Sequence, residues 1–432
     1  MIRKIILSAI LFPFLAHAQE RLTLQDAIGH ALKNKYSVLI AKNSAEIAQN
    51  DNSAGNAGML PFIEAQGGAE KTVNDLNQEY TDGRTVDKKG VNITTIDASV
   101  GLNWTLFDGM RMFAAKNRLE EIAAKGEINF KIELENTVQN VIAAYFDVVQ
   151  RQILIEAIEV NIAIDSERVA LAQARLDAGS GARLELLQAK VDLNGQYSAR
   201  MQLVASWENG KDNLNYLLSR KAGTDFTIAD SIVISYQSSP EQLRSSVLLN
   251  NFTVQATERD KNISLYSLKE SKSQRFPQLD FTTGYQYLNN KSGAGFLLLN
   301  ENTGYYYGAS LRWNLFDGGN VNRQIKNARL GLASSEFYLE DVKLQVSTQL
   351  EKAMRDFENN KEILALEQEN ILLARENLDV AFERFRSGLY SSLQLKDAQL
   401  SFQNAQVRLV QIQYATKLSE TELMKLNGEL VK

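Results

Sequence analysis

Apolar side chains recur at every seventh residue along two long stretches of the chain. Leu134, Val141, Val148, Ile155, Ile162, Val169 and Leu176 form one series, and Leu350, Phe357, Leu364, Ile371, Leu378 and Phe385 the other. Heptads kept up this long make a single seam for packing against neighbouring helices with a supercoil. Each stretch is predicted to be one rod of about 65 residues, on the order of 100 Å at 1.5 Å per residue. The rods end at Gly179 and Gly388. A chain that travels so far must return. Residues 182–218 and 391–427 are helical in pattern and supply about half of each return, and residues 35–60 and about 248–276 supply the rest. After Pro13 the only prolines are Pro61, Pro240 and Pro277, so nothing breaks the rods.

Following Pro61 and Pro277 the period falls to two. Ile96, Ala98, Val100, Leu102, Trp104 and Leu106 alternate with polar or small residues, as do Leu279, Phe281, Thr283, Tyr285 and Tyr287, and again Tyr305, Tyr307, Ala309, Leu311, Trp313 and Leu315. A strand starting near Phe62 is less regular, with Ile63, Ala65, Ala69 and Val73 on one parity. Two β-hairpins with strands of about 10–12 residues are predicted, close to the ~9–11 of a membrane barrel strand. Apolar residues would face lipid and polar ones the lumen, with Tyr and Trp at strand ends forming a girdle. Residues 74–91 read as a polar loop at one hairpin tip. Residues 290–302, with Gly293-Ala294-Gly295-Phe296-Leu297-Leu298-Leu299, read as an unusually apolar one.

The pattern is duplicated. Trp104-Thr105-Leu106-Phe107-Asp108-Gly109 returns 209 residues later as Trp313-Asn314-Leu315-Phe316-Asp317-Gly318. At the same offset Arg175, Gly179, Leu184, Leu186 and Ala189 match Arg384, Gly388, Leu393, Leu395 and Ala398. A copied unit implies a two-fold repeated architecture. The first repeat covers 19–218, with a hairpin at about 62–107 and a helix pair at 110–218. The second covers 247–432, with a hairpin at about 278–316 and a helix pair at 318–427. Residues 219–246 form a linker, with a short strand expected at Ile232-Val233-Ile234.

The first 18 residues have the layout of a signal peptide: Arg3 and Lys4, an apolar run from Ile5 to Leu15, then Ala16-His17-Ala18. That run is far short of the ~20 residues a spanning helix needs, and no later run approaches it, so a membrane crossing would have to be a barrel. Cysteine is absent, which excludes disulfides and thiol chemistry. Past the signal peptide one histidine remains, His30 beside Ile28 and Leu32 on a short amphipathic helix, so paired-histidine metal sites are excluded. No cofactor is expected, and no enzyme constellation is present. Losing Arg3 and Lys4 moves the formal charge from −5 to −7, a poor balance for binding nucleic acid.

Four strands cannot close a barrel, and an open edge in lipid is not viable. Three copies would give twelve strands. In this architecture, Leu24-Gln25-Asp26-Ala27-Ile28, Ala31-Leu32-Lys33-Asn34, Leu60-Pro61, Phe276-Pro277-Gln278-Leu279, the two Leu-Phe-Asp-Gly motifs, Arg175-Leu176-Asp177-Ala178-Gly179 and Arg384-Phe385-Arg386-Ser387-Gly388 occur in order. Over almost the whole mature chain the sequence resembles the TolC-like outer-membrane efflux proteins. The resemblance implies a mixed α/β membrane protein, with a twelve-stranded barrel of a homotrimer above a long α-helical coiled-coil tunnel in the periplasm. It implies a passive exit duct for an efflux pump or type I secretion system, working with a periplasmic adaptor, an inner-membrane transporter and outer-membrane lipid. It also places the constriction at the periplasmic turns, where Arg175, Leu176, Gly179, Arg384, Phe385, Gly388 and Leu389 would meet an adaptor. Relatives carry two aspartates six and nine residues beyond the second glycine; here Gln394 and Asp397 stand there, and Glu185 is the first-repeat equivalent of Gln394. A three-fold ring of Asp397 would attract a cation. Relatives lock the closed state with an Arg and a Tyr at the second turn, where this chain has Phe385 and Tyr390. A periplasmic adaptor or a non-conducting exported coiled coil are the alternatives.

Overall fold

A computed structural model describes residues 21–237 and 239–431; the expected signal peptide lies outside them. The elements run α1 (Leu24–Asn34), α2 (Tyr36–Asp51), β1 (Phe62–Glu79), β2 (Thr85–Phe107), α3 (Arg111–Asp177), α4 (Arg183–Leu217), α5 (Pro240–Asn250), α6 (Phe252–Ser273), β3 (Gln278–Ser292), β4 (Leu299–Arg312), α7 (Asn320–Arg386) and α8 (Ser392–Leu426). The two rods are 67 residues each and the two following helices 35 each. None of the described helices is long and apolar enough to cross a membrane, which says nothing of strands.

Two compact units divide the chain. One contains residues 41–131 and 252–345, and its centre is a four-stranded antiparallel sheet in the order β1-β2-β3-β4. Pairing keeps the alternation of all four strands in phase. Ala65, Val100, Tyr285 and Tyr305 form one row across the sheet, and Ile63, Leu102, Thr283 and Tyr307 another on the same face. The opposite face carries the rows Gln66, Ser99, Gln286, Gly304 and Glu70, Thr95, Asn290, Asn300. The apolar face lies bare: Ile63, Val100, Tyr305, Tyr307 and Leu311 are all at least half exposed. At the foot of the sheet Trp104 Nε1 donates to the Met59 carbonyl (3.0 Å) and Trp313 Nε1 to the Arg275 carbonyl (3.1 Å). Each indole thus ties a strand end to the backbone two residues before a proline.

The strands exceed the expected length. Residues 74–91 are not a loop: β1 and β2 stay paired through them, with a register shift between Asn74 and Leu76, and only Tyr80–Arg84 turns. Polar side chains do not stop a ladder whose backbone groups have partners. In the second hairpin the connection shrinks to residues 293–298, while Trp313 and Leu315 fall beyond β4. Each Leu-Phe-Asp-Gly motif is a strand-to-helix corner. Asp108 Oδ1 accepts from the Met112 amide (3.1 Å) and Asp317 Oδ2 from the Val321 amide (2.7 Å), so each aspartate caps the rod that follows. Ion pairs Arg118–Glu270 (2.6 Å) and Lys125–Asp260 (2.6 Å) pin the start of α3 to α6.

The other unit contains residues 21–40, 132–251 and 346–431. Its core holds Leu22, Ala27 and Ala31 against Val141, Tyr145, Val148, Leu214 and Phe226. Thr23 and Asp26 form a capping box at the start of α1, which presents Ala27 and Ala31 to the core and leaves His30 exposed. Tyr145 donates its hydroxyl to Asp230 and to the Leu22 carbonyl (3.0 Å); burial and Asp230 push its pKa far up, so it stays a donor. The expected strand at 232–234 does not form. The Ser235 and Tyr236 amides donate instead to Glu420 Oε1 (2.8 and 2.7 Å), a carboxylate replacing a neighbouring strand. The linker is also shorter than expected, because Ser239 caps α5 and starts it at Pro240. Likewise α2 stops at Asp51 and not at residue 60, the chain turning through Ser53 and Asn56, whose side chain donates to the Asp51 carbonyl (2.9 Å).

Candidate functional site at the helical turns

The rods α3 and α7 end in the same way. Gly179 and Gly388 adopt φ of +70° and +74°, conformations that side chains other than glycine's oppose. Behind them the Ser180 amide donates to the Arg175 carbonyl (2.9 Å) and the Leu389 amide to the Arg384 carbonyl (2.9 Å), closing both helix ends. Gly179, Gly388 and Leu389 stand exposed at the turns, and Leu176 is half-buried.

Arg175 links the two turns. Its guanidinium donates to the Phe385 and Arg386 carbonyls, lies 4.7 Å from the centre of the Phe385 ring and approaches Glu185 at 3.8 Å. It supplies the missing donors for carbonyls at the end of α7, where the helix dipole also favours a cation. Arg384 stacks over Tyr390 and donates to its hydroxyl (3.1 Å), while Arg386 pairs with Glu167 (3.0 Å).

Some expected site residues come together and others do not. Arg175, Glu185, Tyr390 and Asp397 all line one hollow of about 740 Å³ between the starts of α4 and α8. The exposed Leu184 and Leu393 also line it, along with Lys396. Phe385 is not at that surface. It is 1% exposed, packed in a core of Leu378, Ala381, Leu395, Ala398 and Phe402, so its role within the chain is packing. The Gln394 side chain is spent on the backbone: its Oε1 accepts from the Ser391 amide (2.9 Å) and completes the capping box of α8. Asp397 is exposed on the next turn of that helix.

Beneath the hollow lies a buried ionic cluster with no counterpart in the heptad pattern. Arg168, 2% exposed, donates to Asp165 (2.7 Å), Asp192 (3.1 Å), Gln399 (3.3 Å) and Ser392 (3.2 Å), joining α3, α4 and α8. Lys396 donates to the other oxygen of Asp192 (2.7 Å). Burial pushes the Asp192 carboxyl up, but hydrogen bonds from Lys396, Arg168 and Gln188 outweigh it and hold its pKa below the usual aspartate value. Near this end of α3 the fully buried stripe is Ile158, Asn161, Asp165, Arg168 and Ala172, while the apolar seam residues Ile162 and Val169 are only half-buried. The one sequence signal was a pair of charges spaced three apart on that stripe.

Comparison with known proteins agrees with this architecture. A model of the outer membrane efflux protein family matches residues 27–219 and again 243–429. The chain is 24% identical over 341 residues to the outer membrane efflux protein BepC of Brucella suis, covering 78% of this chain and 73% of that protein. It is 20% identical over 377 residues to the outer membrane protein TolC of Escherichia coli, covering 80% and 74%. Among solved structures, the CmeC outer membrane channel of Campylobacter jejuni superimposes with a TM-score of 0.80 at 15% identity, covering 94% of this chain and 85% of that one. With both halves matched by the same model, the chain belongs to the outer membrane efflux protein family, of the TolC-like kind, and its place is the outer membrane.

Proposed function

We propose that three copies of this chain assemble into a passive exit duct, each giving four strands to a twelve-stranded barrel and its long helices to a periplasmic tunnel. The observation that carries this is the sheet: one face apolar and bare, the other polar, and the outer edges of β1 and β4 unpaired among the described residues. Lipid suits the first face and a water-filled lumen the second, and only association closes the edges. Twelve is an even strand number within the usual range. The equal rods, the equal shorter helices and the double family match support an internal two-fold repeat.

The duct catalyses nothing. A transporter in the inner membrane supplies energy and chooses cargo, and a periplasmic adaptor engages the turns after Gly179 and Gly388, where Arg175, Leu176, Arg384 and Leu389 would form the contact. The gate lies at the same end. Arg175, paired with Glu185, binds the first turn to the second, Arg384 holds Tyr390, and exposed Asp397 would give a ring of three carboxylates that concentrates cations. Phe385 and Gln394 act through packing and capping, and do not line the pore. No role for nucleic acid arises.

Purified full-length protein should migrate as a heat-resistant trimer on gels and give discrete conductance steps in planar bilayers. Asp397→Asn should reduce cation preference without lowering trimer yield. A monomeric, non-conducting product would refute the duct. Wild-type conductance with selectivity unchanged in Asp397→Asn would refute the acidic ring alone.

A further inference from the structure

The connection between β3 and β4 ends a hairpin in a cluster of large apolar side chains. Phe296, Leu297, Leu298 and Leu299 are all more than half exposed, Phe296 at 79%. Register fixes the side of the sheet on which this loop lies. Asn290 and Asn300 belong to the polar face, and Ser292, opposite Ile93, continues it. These three, with Leu76, Gln78 and Ile93, enclose one hollow together with Ala294, Phe296 and Leu297. The loop is held there. The Gly293 amide donates to the Asn92 carbonyl (2.9 Å), the Ser292 amide to the Leu298 carbonyl (2.9 Å) and the Ser292 hydroxyl to the Ala294 carbonyl (2.6 Å). Ala294 and Val91 are buried, and the Phe296 ring lies 5.9 Å from that of Tyr80.

We infer that this loop forms an apolar constriction at the outer mouth of the duct, its tip meeting the same tip from the other two copies. This rests on the trimeric duct proposed above, in which the polar face is the lumen. Lipid is the wrong occupant, because it covers the opposite face. Twelve strands about 4.8 Å apart and tilted about 40° give a backbone radius of about 12 Å. A six-residue loop doubled back from that wall reaches about 10 Å inward, so three Phe296-Leu297 tips converge near the axis. An apolar ring of that width excludes water and ions until the tips part. The duct then has a second barrier, distinct from the periplasmic gate.

The chain has no cysteine, so an introduced thiol is unique. Full-length Ser99→Cys, on the polar face, Val100→Cys, on the apolar face, and Asp82→Cys, in the exposed hairpin turn, are expressed in the outer membrane of intact cells. Each is treated from outside with a bulky, membrane-impermeant polyethylene-glycol maleimide, in the natural loop and with Phe296→Ser/Leu297→Ser. Asp82→Cys reports surface display and should label alike in both. Ser99→Cys should label slowly behind the natural loop and about tenfold or more faster behind the polar one, since separating apolar tips in water is unfavourable. Phe296→Leu, which keeps the apolar tip, should leave the rate slow. Equal rates for Ser99→Cys in both backgrounds would overturn the constriction while leaving the duct intact. Labelling of Val100→Cys with Ser99→Cys unreactive in both would overturn the duct itself.

Discussion

Replacing Arg168 by methionine tests whether the buried ionic cluster holds the helical turns in place. The guanidinium is 2% exposed and meets Asp165 and Asp192, with side chains 2% and 13% exposed, so neither carboxylate can recover its hydration when the arginine goes. Removing one partner of a buried pair costs about 3–5 kcal/mol, mostly from the charge left behind. Local opening of the turn region should therefore become about 10²–10⁴ times more frequent. Hydrogen exchange monitored by mass spectrometry should show that acceleration at the starts of α4 and α8, with the core around Tyr145 unchanged. Adding Asp165→Asn should restore part of the protection by removing the stranded charge. The cluster has a pH signature as well. Because the Asp192 pKa is lowered in the fold, its contribution is present above the ordinary aspartate pKa of 3.8 and is lost as pH falls through the lower folded value. Unchanged exchange in Arg168→Met at neutral pH would refute the claim that these charges tie the helices.

Three further outcomes are expected. Glu135 is 4% exposed, and burial raises its pKa to about 7 against the attraction of Lys425 and a backbone hydrogen bond at Leu430. The folded state thus holds the proton more tightly, stability falls as pH rises from about 4.5 to about 7, and Glu135→Gln should add up to about 3 kcal/mol above that window in denaturation followed across pH. At Gly284 a Cβ would meet the Val100 carbonyl at 2.5 Å and the Tyr306 hydroxyl at 2.6 Å, the tyrosine lying beside Gly284 and Gly101 on the polar face. Gly284→Val should cost about 1–3 kcal/mol through overpacking and lower the yield of folded trimer on gels. Arg175→Ala deletes the bonds to the Phe385 and Arg386 carbonyls and the pairing with Glu185, so the resting channel should conduct several-fold more often in planar bilayers; unaltered gating would show that the turns are held elsewhere.

By itself the sequence determined the long rods, their return helices and the two hairpins, in order along the chain, because long-period patterns are one-dimensional. Seven-residue steps, strict alternation and a repeated Trp-x-Leu-Phe-Asp-Gly corner each constrain backbone conformation locally, and α3, α4, α7 and α8 end within a few residues of their expected bounds. Which strand residues share a face was also implicit: once one face of each strand is apolar, the four alternations can share it in only one phase. The tertiary structure alone decided which polar groups find partners far along the chain. Glu420 takes the amides of Ser235 and Tyr236, Phe385 goes into a core, and Arg168 collects acceptors from three helices. Hydrogen bonds and ion pairs of this kind are short-ranged in space but join residues up to about two hundred positions apart, and no periodicity within a single segment records where the other end will be.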